Sequence, residues 1–440
     1  MSELKIYAVA GRPILHSLSP DLFNPWFRAA GMNAVYTRLA ADSAEEAFRT
    51  ARAMRLAGFN VTSPFKEEIA RFLDGVDDHA AMIGAVNGVV ARKGRWLGFN
   101  TDHLGAVRAL IRNGADPRGK KVAVLGAGGA ARGAAYGLLR RGAASVTLLN
   151  RSADRAREAA RALRCDFAPL ERADEVIRSS DILISCVPSR TVPLEASLRS
   201  GRPVFLRADY RDSPSAAGRS RSSRPSIDGK AWLIEQAIPA FRRFTGQSLT
   251  ARLARTARAS DFAGRSAEKS NIALVGFSGS GKTAVGRILA GILGRTLTDT
   301  DAAIEKRSGL SIPKMFATRG EPFFRNQERS LIAELVPSAK NAIFALGGGA
   351  VLDTGTRALV ARHCIVIWLW TPLEIALARI ETASRPVLAS AHGEGAIERA
   401  YRDRLRASAR TADLVVSTDR RSPAQTAERI RYEMDQSFKN

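Results

Sequence analysis

Cysteine and histidine are scarce in this chain of 440 residues, which has three of the first and five of the second. Cys165, Cys186 and Cys364 stand far apart and odd in number. That excludes a disulfide framework and points to reduced core thiols in a cytoplasmic protein. The histidines are scattered without metal-ligand spacing. No apolar run approaches the roughly 20 residues that a membrane helix requires. The longest, CIVIWLW at 364–370, is short, β-branched and aromatic, and reads as a buried strand. The opening residues, MSELKIYAVAG, enter a strand-like stretch at once and carry no signal-peptide pattern.

Acidic residues are few beside basic ones: 43 Asp and Glu against 67 Lys and Arg, a formal net charge of +24. Such a chain attracts polyanions. Yet the arginines are spread over helix-like stretches such as RAREAARALR, and no helix-turn-helix, RNA-binding or zinc-finger signature occurs. Nucleic acid is therefore not the expected partner; anionic metabolites and nucleotide phosphates suit the charge as well. With 45% hydrophobic and 25% charged residues the composition is ordinary, and the length implies two or three domains.

Strand-like runs alternate with amphipathic helical stretches throughout, which predicts an α/β fold with parallel sheets. KVAVLGAG at 121–128 reads as strand then turn, GAAYGLLRRG as helix, and SVTLLNRS at 145–152 as the next strand. DILISCVP at 181–188 and PVFLRADY at 203–210 repeat the strand pattern. The segment SDFAGRSAEKS at 260–270 lacks periodic apolar residues and reads as a linker, with the strand NIALVGF following it. A boundary near 265 results. RDSPSAAGRSRSSRPS at 211–226 reads as a surface loop.

Two phosphate cradles stand out. GFSGSGKT at 276–283 follows a strand and opens the helix TAVGRILAGILG, the context that Gly-x-x-x-x-Gly-Lys-Thr demands. Its loop residues Gly279, Ser280, Gly281 and Ala284 bring backbone to the phosphates. Lys282 reaches the β- and γ-phosphates and Thr283 offers its hydroxyl to Mg²⁺. Downstream, TDTDAAIEKRSG carries Asp299 and Asp301, expected on one side of a strand end. FFRNQE holds Arg325 and Glu328, ALGGGAV holds Gly347, Gly348 and Gly349, and Arg385 and Arg404 follow. Over 270–440 these residues resemble shikimate kinase. The resemblance implies a P-loop fold with a mobile lid. It assigns Asp299 to the Mg²⁺ shell, and gives Asp301 the substrate hydroxyl and its proton. Arg325 and Arg404, with Gly348 and Gly349, would take the substrate carboxylate, and Arg385 would cover ATP. Two positions depart from the family pattern, Leu346 before the triple glycine and Ser408 four after Arg404.

The second cradle, GAGGAARG at 126–133, follows the strand at 121. Gly126, Ala127, Gly128, Gly129 and Ala130 form the turn and the close approach to a pyrophosphate. The next strand ends in Asn150, Arg151, Ser152 and Arg155, without the acidic residue that favours a free ribose 2′-hydroxyl, so NADP is the better cofactor than NAD. Ahead of this loop lie Ser17 and Ser19 in ILHSLSPDLF, Thr62 and Lys66 in NVTSPFKEE, Asn87 in GAVNGVV, and Asp102 in GFNTDHLG. Together they resemble shikimate dehydrogenase over about 1–265. The resemblance implies a substrate lobe at 1–103, a Rossmann lobe at 104–240, and a returning helix and linker at 241–265. It gives Ser17, Ser19, Thr62, Asn87, Asp102, Tyr210 and Gln236 to the substrate, Lys66 and Asp102 to acid/base work, and Gly229 to the cofactor. ISCVPS at 184–189, Arg207 and His103 depart from the family pattern.

The implied function is bifunctional. NADPH-dependent reduction of 3-dehydroshikimate to shikimate is followed by ATP- and Mg²⁺-dependent phosphorylation of shikimate at its 3-hydroxyl, in aromatic amino-acid biosynthesis. The departures at 184–210 leave an alternative, an active kinase joined to a degenerate N-terminal binding or regulatory module. Quinate in place of shikimate, NAD in place of NADP, channelling between the sites, and the oligomeric state, a homodimer included, are left open.

Overall fold

Strands buried on both faces should read as unbroken apolar runs, and Cys364–Trp370 does so, with all seven residues buried. The computed structural model describes residues 3–187, 203–210, 226–250, 269–380 and 395–438. The expected loop at 211–225, most of the linker, the residues from 188 in the altered turn, and Arg385 lie outside them. Among the described residues no helix is long and apolar enough to cross a membrane. The chain divides into two units. The first holds Met1–Pro20, Asn33–Leu56 and Phe262–Asn440; the second holds Asp21–Met32 and Ala57–Asp261.

In the first unit seven strands form a parallel array in the order Thr296–Asp299, Ala342–Ala345, Asn271–Val275, Cys364–Trp370, Leu414–Ser417, Ala34–Ala40, Lys5–Gly11. Asn271–Val275 lies between two neighbours and is fully buried. It delivers the chain directly into the glycine-rich loop, and helix Lys282–Leu293 starts where that loop ends. The helix buries Val285 and Leu289, four residues apart, so one stripe faces the sheet.

The second unit contains a six-stranded parallel sheet, in the order Ser226–Ile227, Val204–Arg207, Ile182–Ser185, Lys121–Leu125, Ser145–Asn150, Asp166–Pro169. The chain runs outward on both sides of Lys121–Leu125, so the order reverses beside that strand. A crevice opens at such a switch point, at the carboxyl ends of the strands, where dinucleotides bind. A smaller antiparallel group, Gly58–Val61 with Gly88–Arg92 and then Arg95–Phe99, belongs to the same unit.

Helix Gly129–Arg141 ties the glycine loop to the preceding helix, Asp102–Arg112. A methyl added at Gly133 would lie 2.9 Å from Cβ of Asp102, and one at Gly137 would strike the backbone of His103, with the carbonyl carbon at 3.0 Å. Hydrogen side chains at both positions let the helices approach closely. Ala134, Ala135 and Leu138, all 0% exposed, fill the opposite side against Val124 and Leu148. Truncating Leu138 to alanine would cost about 2–5 kcal/mol.

Candidate active sites

The turn GFNTD places one carboxylate in the second unit. Asp102 opens its helix, its amide donating to Asn100 Oδ1 at 2.9 Å while the Thr101 amide donates to Asn87 Oδ1 at 2.8 Å. The Asp102 side chain is 2% exposed. It accepts from Lys66 Nζ at 2.6 Å and from Asn87 Nδ2 at 3.0 Å. Asn87 Nδ2 also lies 3.2 Å from Gln236 Oε1. Trp232 Nε1 donates to the Asp102 carbonyl at 3.2 Å. Four of the residues picked from the sequence, Lys66, Asn87, Asp102 and Gln236, thus form one connected network. An amine held against a buried, hydrogen-bonded carboxylate has a fixed direction, which suits proton transfer to an adjacent oxygen. Thr62 follows the strand Gly58–Val61, its carbonyl accepting from Phe65 N at 3.0 Å. Ser17 and Ser19 belong to the first unit, buried, with Ser17 Oγ donating to Ser19 Oγ at 3.3 Å.

The dinucleotide loop ends at Gly128, the N-cap of helix Gly129–Arg141, and no side chain caps it. Uncapped first-turn amides and the positive end of a helix fit a pyrophosphate. Beyond strand Ser145–Asn150, Asn150 Nδ2 donates to Ser152 O at 3.0 Å and Ser152 caps the following helix through Arg155 N. Arg151 is exposed there. Arg155 is engaged: its Nη2 donates to Glu67 Oε1 at 2.6 Å, and Arg132 Nη2 stands 3.9 Å from Glu67 Oε2. Glu67 and Arg132 were not expected at this site. Their neighbours in sequence, Lys66 and the glycine loop, were the only signal. Gly229 opens helix Gly229–Thr245, packed against the carbonyls of 207–209, just short of Tyr210.

The altered positions are built into the packing. His103 is buried, its ring centroid 4.8 Å from that of His79 and 5.6 Å from that of Tyr136. Burial, then the neighbouring His79, pushes its imidazole down to about 4. Burial and, next, the Asp102 carboxylate push the Cys186 thiol up, which favours its protonated form. Arg207 stacks its guanidinium over Phe205 at 5.9 Å.

In the first unit the P-loop, Asp299, Asp301 and Gly348 line a cavity of about 340 Å³. Thr283 Oγ1 donates to Asp299 Oδ2 at 2.5 Å. Lys282 Nζ donates to the carbonyls of Gly276 and Phe277 at 3.0 and 3.1 Å. Ser280 Oγ is buried and has no hydrogen-bond partner among the described residues. Asp299 and Asp301 do not share a strand face. Asp299 ends its strand and caps helix Thr300–Ser308 by accepting from Ala302 N, which places Asp301 in the first helical turn. The capping geometry, not strand alternation, brings both carboxylates to the cavity. Arg379, not singled out from the sequence, lines it too.

Arg325 Nη1 donates to Glu328 Oε2 at 2.7 Å, and its Nε donates to Glu321 Oε1 at 3.1 Å. Burial opposes the charge on Arg325, but Glu328 and Glu321 outweigh it and hold the pKa above the usual range. Arg404 is 7% exposed, and burial, then the nearby Arg325, lowers its pKa. A methyl on Gly349 would come within 2.6 Å of the Arg325 guanidinium, so only glycine leaves the fork in place. Two guanidinium groups are brought together where one of them is destabilised, which is the electrostatic preparation for an anion.

Comparison with known proteins gives matches in both halves of the chain. The family model described as Shikimate kinase fits residues 278–435, that of the Shikimate dehydrogenase substrate binding domain fits 9–89, and that of Shikimate / quinate 5-dehydrogenase fits 110–200. Shikimate dehydrogenase (NADP(+)) of Syntrophobacter fumaroxidans is 41% identical over 246 residues, covering 54% of this chain and 85% of that protein. The chain belongs to the shikimate dehydrogenase family, fused to a shikimate kinase. It is a bifunctional shikimate-pathway enzyme. The dehydrogenase of Carboxydothermus hydrogenoformans is 35% identical, covering 56% of this chain and 93% of that protein. Among solved structures, shikimate dehydrogenase of Aquifex aeolicus superposes with a TM-score of 0.53 at 31% identity, covering 58% of this chain and 98% of that one. Shikimate 5-dehydrogenase of Thermus thermophilus, solved with NADP(H) and shikimate, gives 0.51 at 30% identity, covering 58% and 100%.

The departures in the kinase sequence are accommodated without loss of a charged group. Leu346 is buried, donates its amide to Leu274 O at 3.1 Å and lines the cavity. Ser408 is 1% exposed.

Proposed function

We propose that residues 1–265 reduce 3-dehydroshikimate to shikimate with NADPH, and that residues 270–440 phosphorylate shikimate at its 3-hydroxyl with ATP. The observation that carries this reading is the Lys66–Asp102–Asn87–Gln236 network, a directed proton donor joined to side chains that bind hydroxyls. Bound NADPH supplies the hydride and bound ATP the phosphoryl group. Lys66 delivers the proton to the oxygen of the reduced ketone; Asp102 orients Lys66 and accepts from a substrate hydroxyl. Asn87, Thr62, Gln236 and Tyr210 hold the remaining oxygens, and Ser17 and Ser19 take the carboxylate. Arg151 and Arg155, with Asn150 and Ser152 beside them and no carboxylate at the strand end, suit a 2′-phosphate.

In the kinase half the P-loop amides and Lys282 hold the phosphates. Arg325, Arg404, Gly348 and Gly349 hold the substrate carboxylate, Asp301 takes the proton of the attacking hydroxyl, and Arg385 closes over ATP. The Thr283 hydroxyl and Asp299 carboxylate, already 2.5 Å apart, fit Mg²⁺, which takes one or two protein oxygens and fills its octahedron with phosphate and water. Mg²⁺ would neutralise charge on the phosphates. Three free cysteines and this choice of nucleotides support a cytoplasmic location.

The test is a coupled assay on the full chain. With 3-dehydroshikimate, NADPH and Mg-ATP, shikimate 3-phosphate is expected. Lys66→Ala should abolish reduction and spare phosphorylation, and Lys282→Ala should do the reverse. A folded variant of either kind that loses both activities refutes the division into two sites.

A further inference from the structure

Ser17 lies on the turn segment that leaves the strand Lys5–Gly11 and Ser19 opens the helix Ser19–Ala29 that follows; the groups that hold this segment come from the far end of the chain, within the same unit. Glu433, on helix Pro423–Phe438, is 0% exposed. Its Oε2 accepts from the amides of Ile14 and Leu15 at 2.7 and 2.9 Å. Its Oε1 accepts from Arg429 Nη2, one helical turn earlier. Arg429 in turn lies 3.4 Å from Asp42 and packs over the ring of Tyr432. The carbonyl of Ile14 accepts from Ser17 N at 2.9 Å, so the segment that Glu433 grips is the one that presents Ser17. A second anchor is Arg38, which donates to Ser17 O at 2.7 Å and to Asp413 O at 3.2 Å. Strand Leu414–Ser417 carries on from Asp413 and pairs with Ala34–Ala40, Val415 beside Leu39 and Val416 beside Ala40.

A buried carboxylate is expensive unless its oxygens are paired, and apolar packing alone would cover a helix more cheaply. Here both oxygens are paired, one of them wholly with main-chain amides of the turn. A carboxylate that bonds two successive amides fixes the backbone orientation of that turn in a way that apolar contact does not.

We propose that Glu433 is a positioning residue for the reduction: by holding the amides of Ile14 and Leu15 it sets the turn that presents Ser17, and through it the helix start at Ser19, to the substrate carboxylate. The dehydrogenase half therefore depends on the last helix of the kinase half. This rests on the reading of Ser17 and Ser19 as substrate ligands.

The experiment uses the full chain with Glu433→Gln, which keeps the volume but offers an amide where a carboxylate took two donors. KM for 3-dehydroshikimate should rise roughly tenfold, and the amides of Ile14 and Leu15 should exchange hydrogen faster. The kcat of reduction, KM for NADPH and kinase kcat/KM should stay within about twofold of wild type. With Ser17→Ala already present, Glu433→Gln should add less than about twofold to KM, since both act through one group. An unchanged KM in Glu433→Gln, while Ser17→Ala raises it, overturns the proposal and leaves the serine reading standing. An unchanged KM in Ser17→Ala removes the serine reading itself. A parallel fall in both activities of Glu433→Gln shows a merely structural role and also overturns the proposal.

Discussion

Replacing Gly133 with alanine should damage the reduction far more than the fold. The new methyl would stand 2.9 Å from Asp102 Cβ and 3.6 Å from Asn100 Oδ1, where carbon atoms prefer about 3.5–4.0 Å. Overpacking of this kind costs about 1–3 kcal/mol. Alanine recovers about 1 kcal/mol of that through helix propensity. The net loss, about 0–2 kcal/mol by these figures, leaves a folded protein. Relief comes through a displacement of Asp102 by several tenths of an ångström, away from a Lys66 contact that is only 2.6 Å long. Since misplacement by about 1 Å can cost roughly a hundredfold, kcat of reduction should fall about ten- to a hundredfold. Steady-state reduction by the full-length variant, with kinase kcat/KM as the internal standard, measures this. Gly137→Ala is the contrast: its methyl meets the His103 backbone, which cannot swing aside, so stability should fall more than in Gly133→Ala. Wild-type kcat in a Gly133→Ala protein of near-wild-type stability would refute the idea that helix approach sets Asp102.

Arg155→Ala should raise KM for NADPH about tenfold with little effect on NADH, whereas Glu67→Gln, which releases Arg155 from its 2.6 Å ion pair, should lower KM for NADPH; reversed signs would exclude Arg155 from the 2′-phosphate. Burial and His79 depress His103 from its ordinary 6.5 to about 4, so the unfolded chain takes up the proton first. Its contribution is present above pH 6.5 and is lost as pH falls toward 4, on the order of 3 kcal/mol, and denaturant titrations of His103→Gln should show a shallower acid limb than wild type. Arg404→Met should raise KM for shikimate about ten- to a hundredfold, because a charge-assisted contact to the carboxylate is lost; a change confined to KM for ATP would place Arg404 elsewhere.

The parts of the fold that could be read from the sequence are those set by local rules. Strand Lys121–Leu125 followed by helix Gly129–Arg141, and strand Asn271–Val275 followed by helix Lys282–Leu293, are found where apolar runs meet glycine turns. Lys66 and Asp102 could be chosen from their motifs and paired for acid/base work from the resemblance to shikimate dehydrogenase; the 2.6 Å contact between them comes from the structure. Asp301 was read with the wrong periodicity, because Asp299 stops its strand by capping a helix and the side-chain period changes from two to 3.6 within that step. Glu67 with Arg155 and Glu433 with Ile14 were illegible for a different reason. Each pair joins residues far apart in the chain, 88 and 419 positions, and no spacing rule reaches across such distances.

The two cradles follow one plan with opposite electrostatic completions. Each sets a glycine turn between an interior parallel strand and the first turn of a helix. Hydride transfer leaves a proton to be delivered, and the helix after the dinucleotide loop is brought hard against the proposed donor: a methyl at Gly129 would sit 3.0 Å from Lys66 Cβ, and one at Gly133 would meet Asp102. Phosphoryl transfer leaves negative charge to be carried, and the first unit places Lys282 and Arg379 on its cavity, while burial and the nearby Arg325 both act against the charge on Arg404. On the proposed reading a carboxylate substrate would offset that cost in the kinase half, so removing Arg404 should be felt in shikimate binding before it is felt in the fold.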